Sequence, residues 1–352
     1  MTPPDIHVLI PGDPATPTGG FVYDRHAVAG LREAGLLAGT IRVDGPFPEG
    51  DAATLKAAET GLATVPDGHR VIVDGLAYTA LAPVLARHDG RLRIIALVHH
   101  PLGDETGLSP QDRERWLRAE VDALTHARHI LVTSRTTHGR LAELGIDSGR
   151  VTAVVPGVDP VCDLGFRDSR APGPLRLLCV ATLIPRKAQH LLLEALAPLA
   201  DRDWHLTLVG EARDAAYAQR LRTLTEGTSL SGRITLTGAV GDAALADHWR
   251  RADAFVFPSL HEGWGIAPVE AVRWGLPVIT SDAGALPESV PEAGRVMVPA
   301  GDIPALRAAM ARLLDDPIHR TALAEGARSA AAGLRSWAEM RAEFASVAEG
   351  LA

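Results

Sequence analysis

FPSLHEGWGIAPVEAVRWGLPVITSDAGALPESV, residues 257–290, is the most informative stretch of this chain. It runs from the end of a β-rich segment through a glycine loop into a helical segment, and then into a second β-rich segment. Ala254 to Phe257 leads through Glu262, Gly263, Trp264 and Gly265 to a helix opening near Ala267, with Pro268 in its first turn, where a missing N–H costs nothing. Two glycines let a bulky group approach the backbone. The first amides of a helix have no partner within it and lie at the positive end of its dipole, so Gly263, Trp264, Gly265 and Ile266 form a seat for phosphate. Glu262 and Glu270 flank that seat. Carboxylates do not bind phosphate, but they accept hydrogen bonds from vicinal hydroxyls, one on a ribose and the other on a hexose. Taken alone, the stretch also fits a dipole-facing acid at Glu270 and a surface glutamate at Glu262, because short glycine motifs recur by chance.

The same alternation of short β-rich runs and helical periods extends outward through the chain, which reads as repeated βαβ units with parallel strands. In the first half the expected strands are Ile6 to Ile10, Thr40 to Val43, Arg70 to Val73, Leu92 to Val98, His129 to Val132 and Val151 to Val154. In the second half they are Leu175 to Val180, His205 to Val209, Arg233 to Leu236, Ala254 to Phe257 and Pro277 to Thr280. A helix over Val22 to Glu33 is expected to bury Val22, His26, Ala29 and Leu31, with Gly35 as its stop. The Pro-, Gly- and charge-rich text after Cys162 marks a break. The expected organisation is a Rossmann-like domain over 1–165, a linker over 166–174, a second Rossmann-like domain over 175–333 and a separate C-terminal helix within 334–352.

At 352 residues the chain exceeds what one core usually supports, and 46% hydrophobic with 22% charged residues reads as globular. A net charge of −8 argues against a nucleic-acid backbone as partner. No apolar run reaches bilayer length, and MTPPDIHVLIPG carries no basic segment ahead of its apolar run, so a cytoplasmic site is expected. Cys162 and Cys179 lack the spacing of a zinc or redox motif and read as buried thiols. Residues 113–140 are rich in arginine; they are read as a solvated face, with weak peripheral contact to an anionic membrane as the other use.

Three further groups fall where open α/β sheets bind ligands, beyond the carboxyl ends of strands. Arg186 and Lys187 follow the strand at 175–180 and can neutralise a leaving diphosphate. Thr18, Gly19 and Gly20 form a glycine turn before the first helix. His99 and His100 close the strand at 92–98, and one of them is a candidate for a functional role. No cluster of Asp, His or Cys has metal-ligand spacing in the sequence and no DxD segment ends a strand, so no metal is expected.

Together these ordered motifs resemble the retaining glycosyltransferases of family 4. The resemblance covers Leu175 to Pro317, through PRK at 185–187, VGEA at 209–212, FPSLHEGWG at 257–265, Glu-x(7)-Glu at 262 and 270, and GLPVITSDAGALPE at 275–288. The first half matches more loosely, through TGG at 18–20 and the HH pair. It implies the α/β GT-B fold, two Rossmann-like domains facing across a cleft with the last helix returning to the N-terminal domain. A UDP- or GDP-sugar would be a substrate rather than a cofactor, with Glu270 on the ribose, Lys187 on the diphosphate and Glu262 near the sugar. Gly19 and Gly20 would approach the phosphates, and His99, or else His100, would stand beside the sugar. The acceptor hydroxyl, on a glycan, a lipid-linked molecule or a small molecule, would attack on the face the phosphate leaves, so that no protein nucleophile is required. One position departs from the commonest pattern: Thr182 stands where arginine is frequent, which gives Arg186 added weight. A sugar-nucleotide epimerase of the same fold and a non-catalytic sugar-nucleotide-binding subunit are the competing readings.

Overall fold

The computed structural model describes residues 3–159 and 173–351. Cys162 and all but the last two residues of the expected linker lie outside the described residues. The chain forms two compact units, Met1–Gly157 together with Arg335–Ala352, and Val158–Leu334.

The first unit is built on a parallel sheet of six strands, β1 (Ile6–Pro11), β2 (Leu37–Val43), β3 (Arg70–Asp74), β4 (Arg93–Val98), β5 (His129–Val132) and β6 (Val151–Ala153), in the order β2-β1-β3-β4-β5-β6. From β1 the chain winds one way to β2, then returns to add β3 on the opposite side. The carboxyl ends of β1 and β3 therefore flank a topological switch point, the place where loops diverge and a crevice opens. Alternate residues of these strands face opposite sides: Val71, Val73, Ile94, Ala96 and Val98 join one apolar cluster, while Ile72, Ile95 and Leu97, buried as well, point the other way.

The first helix is Gly19–Glu33, capped by Thr18, whose hydroxyl accepts the amide of Phe21. It starts three residues before the expected Val22, so Gly19 and Gly20 form its first turn rather than a loop ahead of it. Leu31 is buried as expected, but the rest of the buried face is Tyr23, Asp24, Ala27 and Val28, and the expected Val22, His26 and Ala29 are only half-buried. The helix Trp337–Gly350, opened by a capping box of Ser336 and Glu339, packs on this one. Tyr23 meets Phe344 edge-on, His26 stacks on Trp337 at 4.0 Å, and a Cβ on Gly30 would lie 2.5 Å from the carbonyl oxygen of Arg341. Buried Arg70 completes the attachment by pairing with Asp5 and donating to the carbonyl of Ala348.

The second unit has a parallel sheet of β7 (Leu175–Val180), β8 (Trp204–Val209), β9 (Ile234–Gly238), β10 (Ala254–Phe257), β11 (Val278–Ser281) and β12 (Arg295–Val298), ordered β12-β11-β10-β7-β8-β9. Its switch point lies between β7 and β10. Leu177, Cys179, Ala254 and Val256 enter one apolar cluster while Leu178, Phe255 and Phe257 enter another, so both faces of this sheet are covered. Cys179 is a buried free thiol, pushed up to about 12 by burial. The edge strand β12 is absent from the sequence reading, because RVMV is short and three of its four residues are only half-buried. The fold is GT-B: two six-stranded parallel α/β sheets, one in each unit.

Candidate active site

The switch point of the second sheet gathers four sequence-distant side chains. Pro185–Lys187 forms a 3-10 turn after β7, and Ala188, at φ 53°, reverses the chain into the helix Gln189–Leu196. After β10, Ser259 and Glu262 come to meet that turn. The backbone joins them: the amide of Leu260 donates to the carbonyl of Arg186 at 2.8 Å. Glu262 Oε1 then accepts from Lys187 Nζ at 2.5 Å, from the Ser259 hydroxyl at 2.6 Å and from Arg186 at 3.3 Å. Glu262 is only 6% exposed, so it is not a surface glutamate. Burial pushes its carboxyl upward, but Lys187 and Arg186 outweigh that and hold it below the usual carboxylate range. Lys187 Nζ also lies 5.1 Å from the centre of the Phe257 ring. The guanidinium of Arg186 donates to the carbonyl of His261 at 2.7 Å, while the Thr182 carbonyl accepts from Gln189.

The glycine loop turns sharply at Gly265. Gly265 has φ 89°, a left-handed conformation that a side chain resists, and a Cβ there would come within 2.6 Å of Leu286. It precedes the helix Ile266–Arg273, whose first turn has no side-chain cap. The segment after β11 supports the loop from behind: Ala285 donates to the Glu262 carbonyl at 2.9 Å, and the Ser289 hydroxyl to that of Trp264 at 2.6 Å. A Cβ on Gly284 would stand 2.2 Å from the same Glu262 oxygen, so this contact requires glycine. Glu270, half-buried on the helix, has no hydrogen bond to its carboxylate among the described residues. Burial, with Asp159 and Asp242 nearby, pushes it up to about 7.

The first sheet carries a second cluster. His99 leaves β4 with its Nε2 at 3.2 Å from both Asp24, on the first helix, and Asp74, at the end of β3. Asp74 also caps the helix Gly75–His88 through the amide of Leu76. Burial lowers the basicity of His99, but the two carboxylates outweigh it and raise its pKa to about 10. Gly20 lies against the same imidazole, 3.5 Å from where its Cβ would stand. His100 turns instead toward Glu105, at 3.6 Å. Asp24, Asp74 and His99 bring ligand atoms within 4.8 Å of one another. The imidazole lies between the carboxylates as their counter-ion. Sequence spacing does not link these three, but Asp24 carries a signal: it is a charged residue on the helical face shared by Tyr23, Ala27, Val28 and Leu31.

In the arginine-rich region four of the six arginines pair with nearby acids. Arg113 and Arg140 both hold Asp104, Arg115 pairs with Asp112, and Arg118 with Glu114. Among the described residues no helix is long and apolar enough to cross a membrane.

Residues 174–316 match the model of the family described as glycosyl transferases group 1. A GDP-mannose-dependent monoacylated alpha-(1-6)-phosphatidylinositol monomannoside mannosyltransferase of Corynebacterium glutamicum is 30% identical over 292 residues, covering 75% of this chain and 73% of that protein. The chain belongs to the group 1 glycosyltransferases. A GDP-mannose-dependent alpha-(1-6)-phosphatidylinositol monomannoside mannosyltransferase of Mycolicibacterium smegmatis is also 30% identical, over 77% of this glycosyltransferase and 74% of its own length. Among solved structures, sucrose-phosphate synthase from Thermosynechococcus elongatus superposes with a TM-score of 0.81 at 22% identity, over 98% of each chain. Anabaena HepE in complex with UDP-glucose gives 0.76 at 17% identity, over 98% of this chain and 99% of that one. The matched segment contains both Lys187 and the Glu262–Glu270 loop.

Proposed function

We propose that this glycosyltransferase is a retaining, metal-independent enzyme of family 4 that moves a hexose from a GDP-sugar to a hydroxyl acceptor. GDP-mannose is the first donor to test because the matched mannosyltransferases are named for it; a UDP-hexose is the alternative. The observation that carries this reading is the switch point between β7 and β10, where two cations share one buried carboxylate beside an uncapped helix N-terminus. That cluster sets two cations next to the first amides of a helix, an arrangement that stabilises the charge of a diphosphate.

In this reading Glu262 Oε1 orients Lys187 toward the diphosphate, and Oε2 is left to accept from the sugar. Arg186 adds charge through the same carboxylate, and the amides from Gly263 to Ile266 take the phosphate oxygens. Glu270 accepts from the ribose hydroxyls. Gly19 and Gly20 contribute an open first helical turn to the phosphates, and His99 donates to the transferred sugar. As the glycosidic bond breaks, the departing phosphate oxygen takes the acceptor proton on the same face. Lys187 and the helix amides stabilise the charge that develops. The acceptor is read as a polyol or glycan hydroxyl, lipid-linked in the case closest to the matched mannosyltransferases.

Incubation with GDP-mannose and UDP-glucose, with nucleotide release and the anomeric product followed together, tests the proposal. One nucleotide released per sugar transferred, with the donor configuration kept, is expected. Sugar interconversion without net nucleotide release would instead show an epimerase, and binding without turnover a silent subunit.

A further inference from the structure

Asp24 has the least explained position in the molecule. It is 1% exposed, and neither carboxylate oxygen has a hydrogen-bond partner, although Oδ1 lies 3.2 Å from His99 Nε2. A buried acid without a partner is costly unless its charge does something for a neighbour. Its neighbours are one ring nitrogen of His99 and the carboxylate of Asp74. Nε2 is also 3.2 Å from Asp74 Oδ2, with geometry good enough for a hydrogen bond. One N–H cannot point at both oxygens, so Asp74 takes the bond and Asp24 acts by charge.

We propose that Asp24 is a positioning residue for the transfer: with Asp74 it clamps Nε2 of His99, keeps the proton on that nitrogen and leaves Nδ1–H as the donor toward a sugar hydroxyl. This rests on the hexosyl-transfer reading above. Nδ1 has no partner among the described residues, and the side chain is 20% exposed, so one edge of the ring is gripped and the other is open. Packing removes the alternatives for the gripped edge: Tyr23 meets the ring edge-on at 5.6 Å, and Gly20 leaves no side chain between ring and helix. The hydroxyls of Thr133 and Thr137 hold the His99 carbonyl, which fixes the backbone from which the ring swings. Asp24 and Tyr23 from the first helix and Asp74 from β3 are the titratable groups facing the imidazole. The rise of His99 to about 10 and of Asp24 to about 7 agrees with a cation held by one full carboxylate and a second that shares a proton near neutrality.

Histidine labelled with 15N gives two-bond 1H–15N spectra that read the charge and tautomer of His99 without any turnover. In the wild type the imidazolium is expected to persist through pH 8; a neutral His99 at pH 7 would overturn the clamp with no variant needed. In Asp24→Asn, which keeps shape and removes charge, His99 should lose its proton at least one pH unit lower. The same variant should show kcat lowered about tenfold at pH 8 and less at pH 6, with the affinity for GDP within twofold of wild type. An unchanged His99 titration, or kcat within twofold at both pH values, overturns the proposal. If His99 shifts as expected while the wild type transfers no sugar from GDP-mannose or UDP-glucose, the clamp is supported and the transfer reading is what fails.

Discussion

At the carboxyl end of the first sheet two carboxylates hold one cation; at that of the second, two cations hold one carboxylate. Both clusters sit where a parallel sheet reverses its winding, and both are largely buried, yet the group shared at the centre has opposite sign. The Lys187–Glu262–Arg186 cluster gathers two cations on one carboxylate, which is why it is proposed to meet a diphosphate. The Asp24–His99–Asp74 cluster carries an excess negative charge, suits no anion, and is built to hold a donor in place. Each is centred on one shared charge, so removing that shared charge and removing one of its partners should have different consequences.

The largest effect is expected for Lys187→Ala, at about 2–4 kcal/mol of transition-state stabilisation, the scale of one preorganised donor, read from kcat/KM. A variant within threefold of wild type would make the cation pair a mere loop contact. Stability then separates the shared charge from its partners. Glu262→Gln removes the buried carboxylate that Lys187 and Arg186 share and should cost about 3 kcal/mol in urea unfolding. Asp24→Asn should cost nothing at pH 8. Because the carboxyl of Asp24 is raised to about 7, the stability it contributes is complete below about pH 4 and is lost as pH rises through about 7, so the wild type should lose ground to the variant over that interval. Equal losses for both variants would erase the distinction between the clusters.

Much of this was legible in the residues. The alternation of apolar runs placed eleven of the twelve strands, and residues 257–290 announced a glycine loop entering a helix. Glu262, Lys187 and Arg186 could be named from position after a strand, but their meeting on one oxygen atom could not, because it depends on β7 and β10 becoming neighbours across 75 residues of chain. Asp24 was missed for a related reason. A polar residue interrupts an apolar face, so the periodicity was assigned to the neighbouring row through Val22 and His26, and only packing shows that the interruption is buried. β12 escaped because an edge strand lacks the two-sided burial that makes central strands readable.

A smaller effect sharpens the assignment of Glu270. Its carboxyl, raised to about 7, accepts from ribose hydroxyls more strongly once ionised, so GDP affinity in the wild type should strengthen severalfold from pH 6 to pH 8. Glu270→Gln should remove that slope beyond the part belonging to the nucleotide's own phosphates. Titration calorimetry at three pH values reads it, and parallel slopes in both proteins would move the ribose elsewhere. The smallest expected effect is none at all: turnover should persist in excess EDTA. Loss of activity that manganese or magnesium restores would point to Asp24, Asp74 and His99 as the site of the ion and would replace the clamp with a metal centre.

The central claim, that the seat between β7 and β10 binds the donor nucleotide, is tested most directly by calorimetric titration of GDP and UDP into the wild-type protein and into Lys187→Ala. One nucleotide should bind the wild type at a single site, and Lys187→Ala should weaken it at least tenfold while the protein stays folded. Failure of both nucleotides to bind the wild type, or equal affinity in the two proteins, would contradict the account.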